Sequence, residues 1–414
     1  MPHRRAHLVE IYPEECGEQD QTHEQGQDGI ENRFHHLAHR VKGWYPIEYE
    51  IDDRARHNRA GQRPILQKLN HTLHSVGKIT LFLVLRYQKI VVLSHSVMKK
   101  ILNNIAFWTI YGTWYGLSLL PMWVHYLFSD LLFVIIAYVL HYRRRVISKN
   151  LSVAYPDKSE KELKKLRIQF YRHFCDILVE TVKYTSITDK NIMRRMTFKN
   201  SEQVAEILNS GQSVALLLGH YGNWEWVSSL VLWVRPLITN NTVMGQIYHP
   251  LENKVINRVV LKTRDRMKSD SVSMKETLRW IIGNKREGRP TILGYINDQV
   301  PKWENIHHWL TFLNHPDTPV FTGIERIVHS QNQAAVYLDV KCVGRGRYDC
   351  EFQVVTRDPS TMGEFELTNT YFKLMEQTIN RAPQYWLWSH NRWKRTREEF
   401  DRRFKVVNGR VVEK

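Results

Sequence analysis

The stretch Leu216-Leu217-Leu218-Gly219-His220-Tyr221-Gly222-Asn223-Trp224-Glu225 carries the fold and the chemistry together. The apolar run 213–218 has the length and composition of a buried strand. It ends at a glycine, presents a histidine, and passes through a second glycine into a helix start. That order is the beginning of a strand-to-helix unit of an α/β domain. The turn also sets a titratable base at a strand end, close to the unpaired backbone N–H groups of a helix N-terminus. Glu225, five residues on, is expected to lie beside His220 and hold one ring nitrogen. The other nitrogen is then left to take a proton from an acceptor hydroxyl. Asn223 reads as the N-cap of the helix or as a donor to an oxyanion, and Gly222 lets a ligand approach the backbone. This set of residues suits acyl transfer.

Strand and helix signals alternate on both sides of this segment. Strands are predicted at 213–218, 242–248, 291–296, 334–340 and 350–355. Helices are predicted at 159–183, 201–209, 224–234, 251–266, 273–285, 322–329 and 364–381, with Gly211 ending the second of them. Together they predict an α/β domain over 146–414, with a mixed, mostly parallel central sheet flanked by helices on both faces.

Residues 98–145 read differently. Ile101 to Tyr142 is apolar and aromatic, is divided by Pro121, and is closed by Arg143-Arg144-Arg145. Each half is close to the length of a bilayer core, so the segment is expected to anchor the chain in a membrane. Basic residues at both outer ends fit a re-entrant hairpin with both ends on one side; a single span and a monotopic helix pair stay open. Residues 1–97 hold half of the 20 histidines and are largely polar. They are expected to be disordered or to be upstream sequence, with Met98-Lys99-Lys100 as the natural start.

The chain carries 59 Lys+Arg against 42 Asp+Glu, and residues 98–414 hold 46 of the former and 30 of the latter. Such a basic body points to anionic partners: lipid headgroups, phosphorylated substrates or an acidic carrier. The four cysteines form no CxxC pair and imply no disulfide framework. No HExxH pattern is present, and His307-His308 sit in a polar segment, so no metal site is expected. The chain has no GxSxG elbow, Walker A loop or GxGxxG, which argues against serine hydrolase, NTPase and dinucleotide chemistry. Arg392, Lys394, Arg395 and Arg397 interleave with Trp386, Trp388 and Trp393, a pattern that suits nucleic acid or a membrane interface.

His220-Tyr221-Gly222-Asn223-Trp224-Glu225 resembles the HxxxxD/E signature of glycerolipid acyltransferases, and in its exact form that of the bacterial lipid A late acyltransferases, the lauroyl and myristoyl transferases. Three later segments are similar to further blocks of that family: Tyr248-His249-Pro250-Leu251 with Arg264-Asp265-Arg266, then Asn297-Asp298-Gln299, then 383–394. His249 departs from the family's usual arginine. The resemblance covers roughly 98–400. It implies acyl transfer from an acyl carrier protein, or less readily coenzyme A, to a hydroxyl of a lipid A precursor at the cytoplasmic side of the bacterial inner membrane. It implies no bound cofactor and no nucleic-acid partner, and phospholipid as the surroundings. His220 is then the general base and Glu225 its partner, Gly222 and Asn223 position the oxyanion, and Arg264 or Arg266 holds phosphate of substrate or carrier. Asp298 and Gln299 line the cleft or cap a turn, and Arg392 packs beside the site.

Overall fold

The computed structural model describes residues 97–414 except Asn408, with His71, His74, Ser75 and Tyr87 before them. The expectation for 1–97, Cys16 included, otherwise falls outside the described residues. The chain divides into two compact units, Met1–Ile101 and Leu102–Lys414, and the α/β architecture belongs to the second. Its first helices are α1 (102–118) and α2 (Met122–Val134), the latter continued by a π-helical turn, Ile135–Val139. Met122–Val139 is long and apolar enough to cross a membrane. Then come α3 (Arg144–Ala154) and α4 (Glu160–Tyr184). Ser159 and Glu162 start α4 with a reciprocal capping box, which satisfies two N-terminal N–H groups.

The central sheet has seven strands. In chain order the elements are β1 (Met196–Lys199), α5 (Ser201–Asn209), β2 (Val214–Leu218), β3 (Val243–Tyr248), α6 (Lys254–Arg264), β4 (Asp270–Ser273), α7 (Thr277–Arg286) and β5 (Thr291–Ile296). A hairpin of β6 (His308–Phe312) and β7 (His315–Val320) follows, then α8 (Gly323–Gln331), β8 (Ala334–Gly344), β9 (Arg347–Thr356) and α9 (Glu366–Arg381). The chain closes with α10 (Arg397–Arg403) and a hairpin of β10 (Phe404–Val407) and β11 (Arg410–Glu413).

The sheet order is β1-β9-β8-β2-β5-β3-β4, and every neighbouring pair is parallel except β8 with β9. This is the mixed, mostly parallel sheet expected from the sequence. All five residues of β2 are buried, which is why its pattern is a continuous apolar run and not an alternation: a central parallel strand is covered on both faces. The strands absent from the prediction are the short edge strands β1 and β4 and the two hairpins. Each is too short, too polar or too proline-rich to announce itself.

Register then sets the site. Leu216 pairs with Gly294 and Leu218 with Ile296. The residues just beyond the two strand ends, Gly219-His220 and Asn297-Asp298, therefore meet at the carboxyl edge of the sheet, where ligands bind in open α/β folds.

Candidate active site

His220 leaves the sheet two residues past the end of β2, and the turn around it is fixed from several directions. A Cβ on Gly219 would come within 2.3 Å of Met375 Cε, the mobile tip of a side chain on α9, so a larger residue there would push that tip aside. Gly222 has φ +60°, a conformation open to glycine, and a Cβ there would also sit 3.0 Å from Val340 Cγ1. Its N–H donates to Tyr385 O (3.0 Å), and its carbonyl accepts from His173 Nε2 (3.3 Å). The His220 carbonyl accepts from Leu387 N (3.1 Å). The C-terminal segment thus clamps the histidine loop.

The partner of the imidazole is Asp298. Its Oδ1 lies 2.6 Å from His220 Nδ1, and its Oδ2 accepts from the His220 backbone N–H (3.0 Å) and from the Trp386 indole (2.7 Å). Asp298 is 1% exposed. Burial opposes its charge, but the histidine beside it and these hydrogen bonds outweigh burial and bring its pKa down to about 2. An ionised carboxylate on Nδ1 fixes the tautomer and leaves Nε2 as the basic nitrogen. Nε2 faces the Gln299 amide at 3.3 Å, and Trp224 stands edge-on to the ring at 5.3 Å. The imidazole is 19% exposed, enough for a substrate to reach it.

Glu225 is elsewhere. Its carboxylate makes a two-point pair with Arg264, Nη2 to Oε1 at 2.7 Å and Nε to Oε2 at 3.1 Å. The expectation that Glu225 holds the His220 ring thus differs from the structure, and the cause is local. Asn223 Oδ1 accepts from Trp226 N (3.0 Å), and a 3-10 turn, Trp226–Leu230, begins at once. That tight start turns Glu225 toward α6 and away from the strand end.

Of the two readings of Asn223, the cap holds, through Trp226 N, and the oxyanion donor does not. Asn223 is fully buried, and its amide donates to Glu180 Oε2 at 2.7 Å. Both of its polar ends are engaged within the protein, so it anchors the loop and does not face a substrate. Glu180, also fully buried, accepts from Tyr348 and Tyr126 as well; burial pushes its carboxyl up to about 7. Nothing in the sequence pattern marked this residue.

Arg264 and Arg266 part company. Arg264 faces the cavity described below, while Arg266 pairs with Asp189 (2.7 Å) on the surface side. The aromatic and basic strip divides: Trp388 and Arg392 are fully buried and Trp386 and Trp393 nearly so, whereas Lys394 and Arg397 are exposed and Arg395 is half-buried. Arg392 donates to Pro319 O (2.9 Å) and lies beside the rings of Phe312 and Phe372. It holds the C-terminal block in place behind Asp298.

Past Trp224, which stands against the His220 ring, lies a narrow cleft lined among others by Leu216, Leu218, Met244, Ile292 and Leu230, with Trp224, Glu225 and Arg264 also on its wall. Its floor is one face of the sheet. Leu216, Gly294 and Gln246 are aligned across three strands, and Gly294 contributes no side chain. Among the described residues, no group of three or more His, Cys, Asp or Glu side chains is arranged to hold a metal ion.

A family model for bacterial lipid A biosynthesis acyltransferases matches residues 94–395. Two curated proteins show the same likeness, each 24% identical over 293 residues, covering 68% of this chain and 90% of their own length. One is the lipid A biosynthesis palmitoleoyltransferase of Escherichia coli strain K12, the other the lipid A biosynthesis acyltransferase of Shigella flexneri.

Proposed function

Because this chain belongs to the bacterial lipid A biosynthesis acyltransferase family, we propose that it moves a fatty acyl chain from an acyl carrier protein thioester to a hydroxyl of a lipid A precursor, at a membrane surface, with His220 as general base. The observation that carries the mechanism is the 2.6 Å contact between His220 Nδ1 and buried Asp298 at the carboxyl edge of the sheet. A thioester carbonyl is already reactive, so the protein has two tasks: to deprotonate the acceptor and to receive the developing oxyanion. His220 Nε2 takes the hydroxyl proton, and Asp298 stabilises the imidazolium that forms. The Gln299 amide, nearest to Nε2, is the side-chain donor in reach of the oxyanion. The proton then passes from the imidazolium to the departing thiolate.

The acyl chain takes the apolar cavity, and Arg264 at its wall meets the phosphate of the carrier arm or the acceptor. A planar guanidinium held at two points by Glu225 is aimed before substrate arrives. Two results are expected from this arrangement. Glu225→Gln raises the donor KM roughly tenfold with kcat nearly unchanged, and Arg264→Gln with Glu225→Gln is no worse than Arg264→Gln alone, because the pair acts as a unit. Steady-state kinetics with varied donor reads both. Gly294→Leu fills the cavity floor, where a Cβ meets Leu218 Cδ2 at an ordinary 3.7 Å. It is expected to shift preference toward shorter thioesters by roughly tenfold in kcat/KM, measured by competition between donors of two lengths.

The test of the activity itself uses the full chain with a labelled acyl carrier thioester, the matching coenzyme A thioester and a lipid A precursor. Transfer from the carrier to a precursor hydroxyl is expected. Transfer only to another lysolipid would replace the acceptor, and transfer only from coenzyme A would replace the donor.

A further inference from the structure

Helix α2 has the composition of a membrane span but not the setting of one. Its residues are attached along α4 from end to end. The turn before it is held by Lys183 Nζ, which donates to Ser118 O (2.8 Å) and Leu120 O (2.9 Å), and by Ser186 Oγ on Ser118 O (2.6 Å). One turn into the helix, Tyr126 donates to Glu180 (3.0 Å), and Ser129 donates to Asp176 (2.6 Å). Arg345 joins Asp130 to Asp176 at 2.8 and 2.6 Å. Further on, the Arg172 guanidinium covers the Phe133 ring at 4.5 Å, and past the helix end Tyr171 donates to Tyr142 O (2.7 Å). As the chain runs from 118 to 142, its partners on α4 and just past its end run back from 186 to 171. The two helices are antiparallel neighbours over the whole apolar length.

Helix α4 is itself a core helix of the α/β domain. Tyr171, Cys175, Ile177, Val179 and Glu180 are buried, and Glu180 holds Asn223 of the catalytic loop. A transmembrane path for α2 would draw this helix, with Asp176, Glu180 and Lys183, into hydrocarbon, where ionisable side chains are strongly disfavoured. A hairpin would also carry the 119–121 turn to the far side, although Lys183 and Ser186 hold it to the domain. Helix α1 is attached in the same way. Trp114 donates to Thr185 (3.0 Å), and Arg258 of α6 covers Phe107 at 3.9 Å while donating to Asn104 (2.7 Å).

What remains outward is one apolar face. Trp108 on α1 and Trp123, Leu127, Leu131, Val134 and Tyr138 on the second helix are each 49–65% exposed. Directly after that helix, Arg144, Arg145 and Lys149 of α3 and Lys164 and Arg167 of α4 line one groove, with Glu160 the sole carboxylate on its wall. Arg167 donates to Ser148 Oγ (2.5 Å); burial and then the nearby Arg144 lower its pKa. Like charges have been gathered there without matching acids, so the groove is complementary to an anion.

We infer that α1 and α2 form a plate that inserts its outer face into a single leaflet of an anionic phospholipid bilayer without crossing it, with the Arg144–Arg167 groove receiving lipid phosphate at the rim. An apolar face beside a basic rim is the pattern of interfacial helices on anionic membranes. The inference rests on the membrane attachment proposed above and names how that attachment is made. It also places the catalytic edge and the apolar plate on one body, since α4 holds both.

The test uses the full chain in sealed membrane vesicles, with Leu119→Cys at the turn and Ser152→Cys as a marker of the domain side, and a membrane-impermeant maleimide applied to each face. Label at Ser152→Cys from one face only, and none at Leu119→Cys from the opposite face, is expected. Label at Leu119→Cys from the face opposite to the marker would overturn the inference in favour of a span. Flotation with phosphatidylcholine vesicles, with and without phosphatidylglycerol, tests the rim. Anionic vesicles are expected to bind roughly tenfold tighter or more, with Arg144→Gln/Lys149→Gln/Lys164→Gln removing that preference. A preference unchanged in the triple variant would overturn the lipid reading of the groove. So would a raised KM for the acyl carrier with unchanged vesicle binding, which would make it a protein-docking groove. Failure to float with any vesicle would instead remove the attachment on which the inference rests.

Discussion

His220→Ala is expected to lower kcat by roughly 10²–10⁴-fold while the protein stays folded, the scale set by loss of a positioned general base. The side chain is partly exposed, and its principal polar partner is Asp298, so removal opens little of the core. The backbone clamps that fix the loop, Gly222 N to Tyr385 O and Leu387 N to His220 O, do not involve the imidazole. Binding of the acyl chain in the cavity is expected to survive, because the apolar floor belongs to β2, β3 and β5. The measurement is kcat in the acyl transfer assay beside thermal unfolding of the same sample. Full activity in the variant would discard the mechanism.

Asp298→Asn carries the second large effect. The substitution keeps shape and can still accept from the Trp386 indole, which isolates the charge and the tautomer. An asparagine amide can turn its NH₂ toward Nδ1, and the proton then moves to Nε2, where a base is needed. In addition, the imidazolium formed in the reaction loses its buried counter-charge. Together these predict a fall in kcat of roughly 10²–10⁴-fold with donor KM little changed, because Asp298 touches neither the cavity nor Arg264. A variant that loses affinity and keeps kcat would show that Asp298 serves binding and not the base.

The difference between His220 and its two acidic neighbours shows what the chain discloses and what it withholds. An uninterrupted apolar run, a glycine and a histidine identify a strand end, because a buried parallel strand has no other economical composition. The choice of partner cannot be read the same way. Glu225 is five residues from His220 and Asp298 is 78 away, yet the nearer residue is turned off by a 3-10 start that a single asparagine cap decides. The distant one arrives because β2 and β5 are neighbours in register. Sheet order is a long-range property, and only the resemblance to a known block drew attention to Asn297-Asp298-Gln299.

Burial was misleading in the same way at Arg392. A run of arginine and tryptophan reads as surface, whereas here the indoles donate inward to Asp298, Pro383 and Thr318, and the guanidinium is enclosed with them. Asn223 looked like a ligand donor because small polar residues at helix starts often are. Its true setting depends on Glu180, 43 residues earlier on α4. The apolar, aromatic character of the first two helices was legible. Their attachment along α4 was not, since it rests on single polar contacts such as Ser129 with Asp176 that leave the hydropathy unchanged.

The central claim is that His220 is a base oriented by Asp298, while Glu225 serves Arg264. The most direct test is kcat and donor KM for Asp298→Asn and Glu225→Gln, measured side by side in one acyl transfer assay. The account predicts that Asp298→Asn loses kcat by at least roughly 10²-fold, whereas Glu225→Gln retains kcat within a few-fold and shows its effect in KM. A collapse of kcat in Glu225→Gln together with near-normal kcat in Asp298→Asn would contradict it.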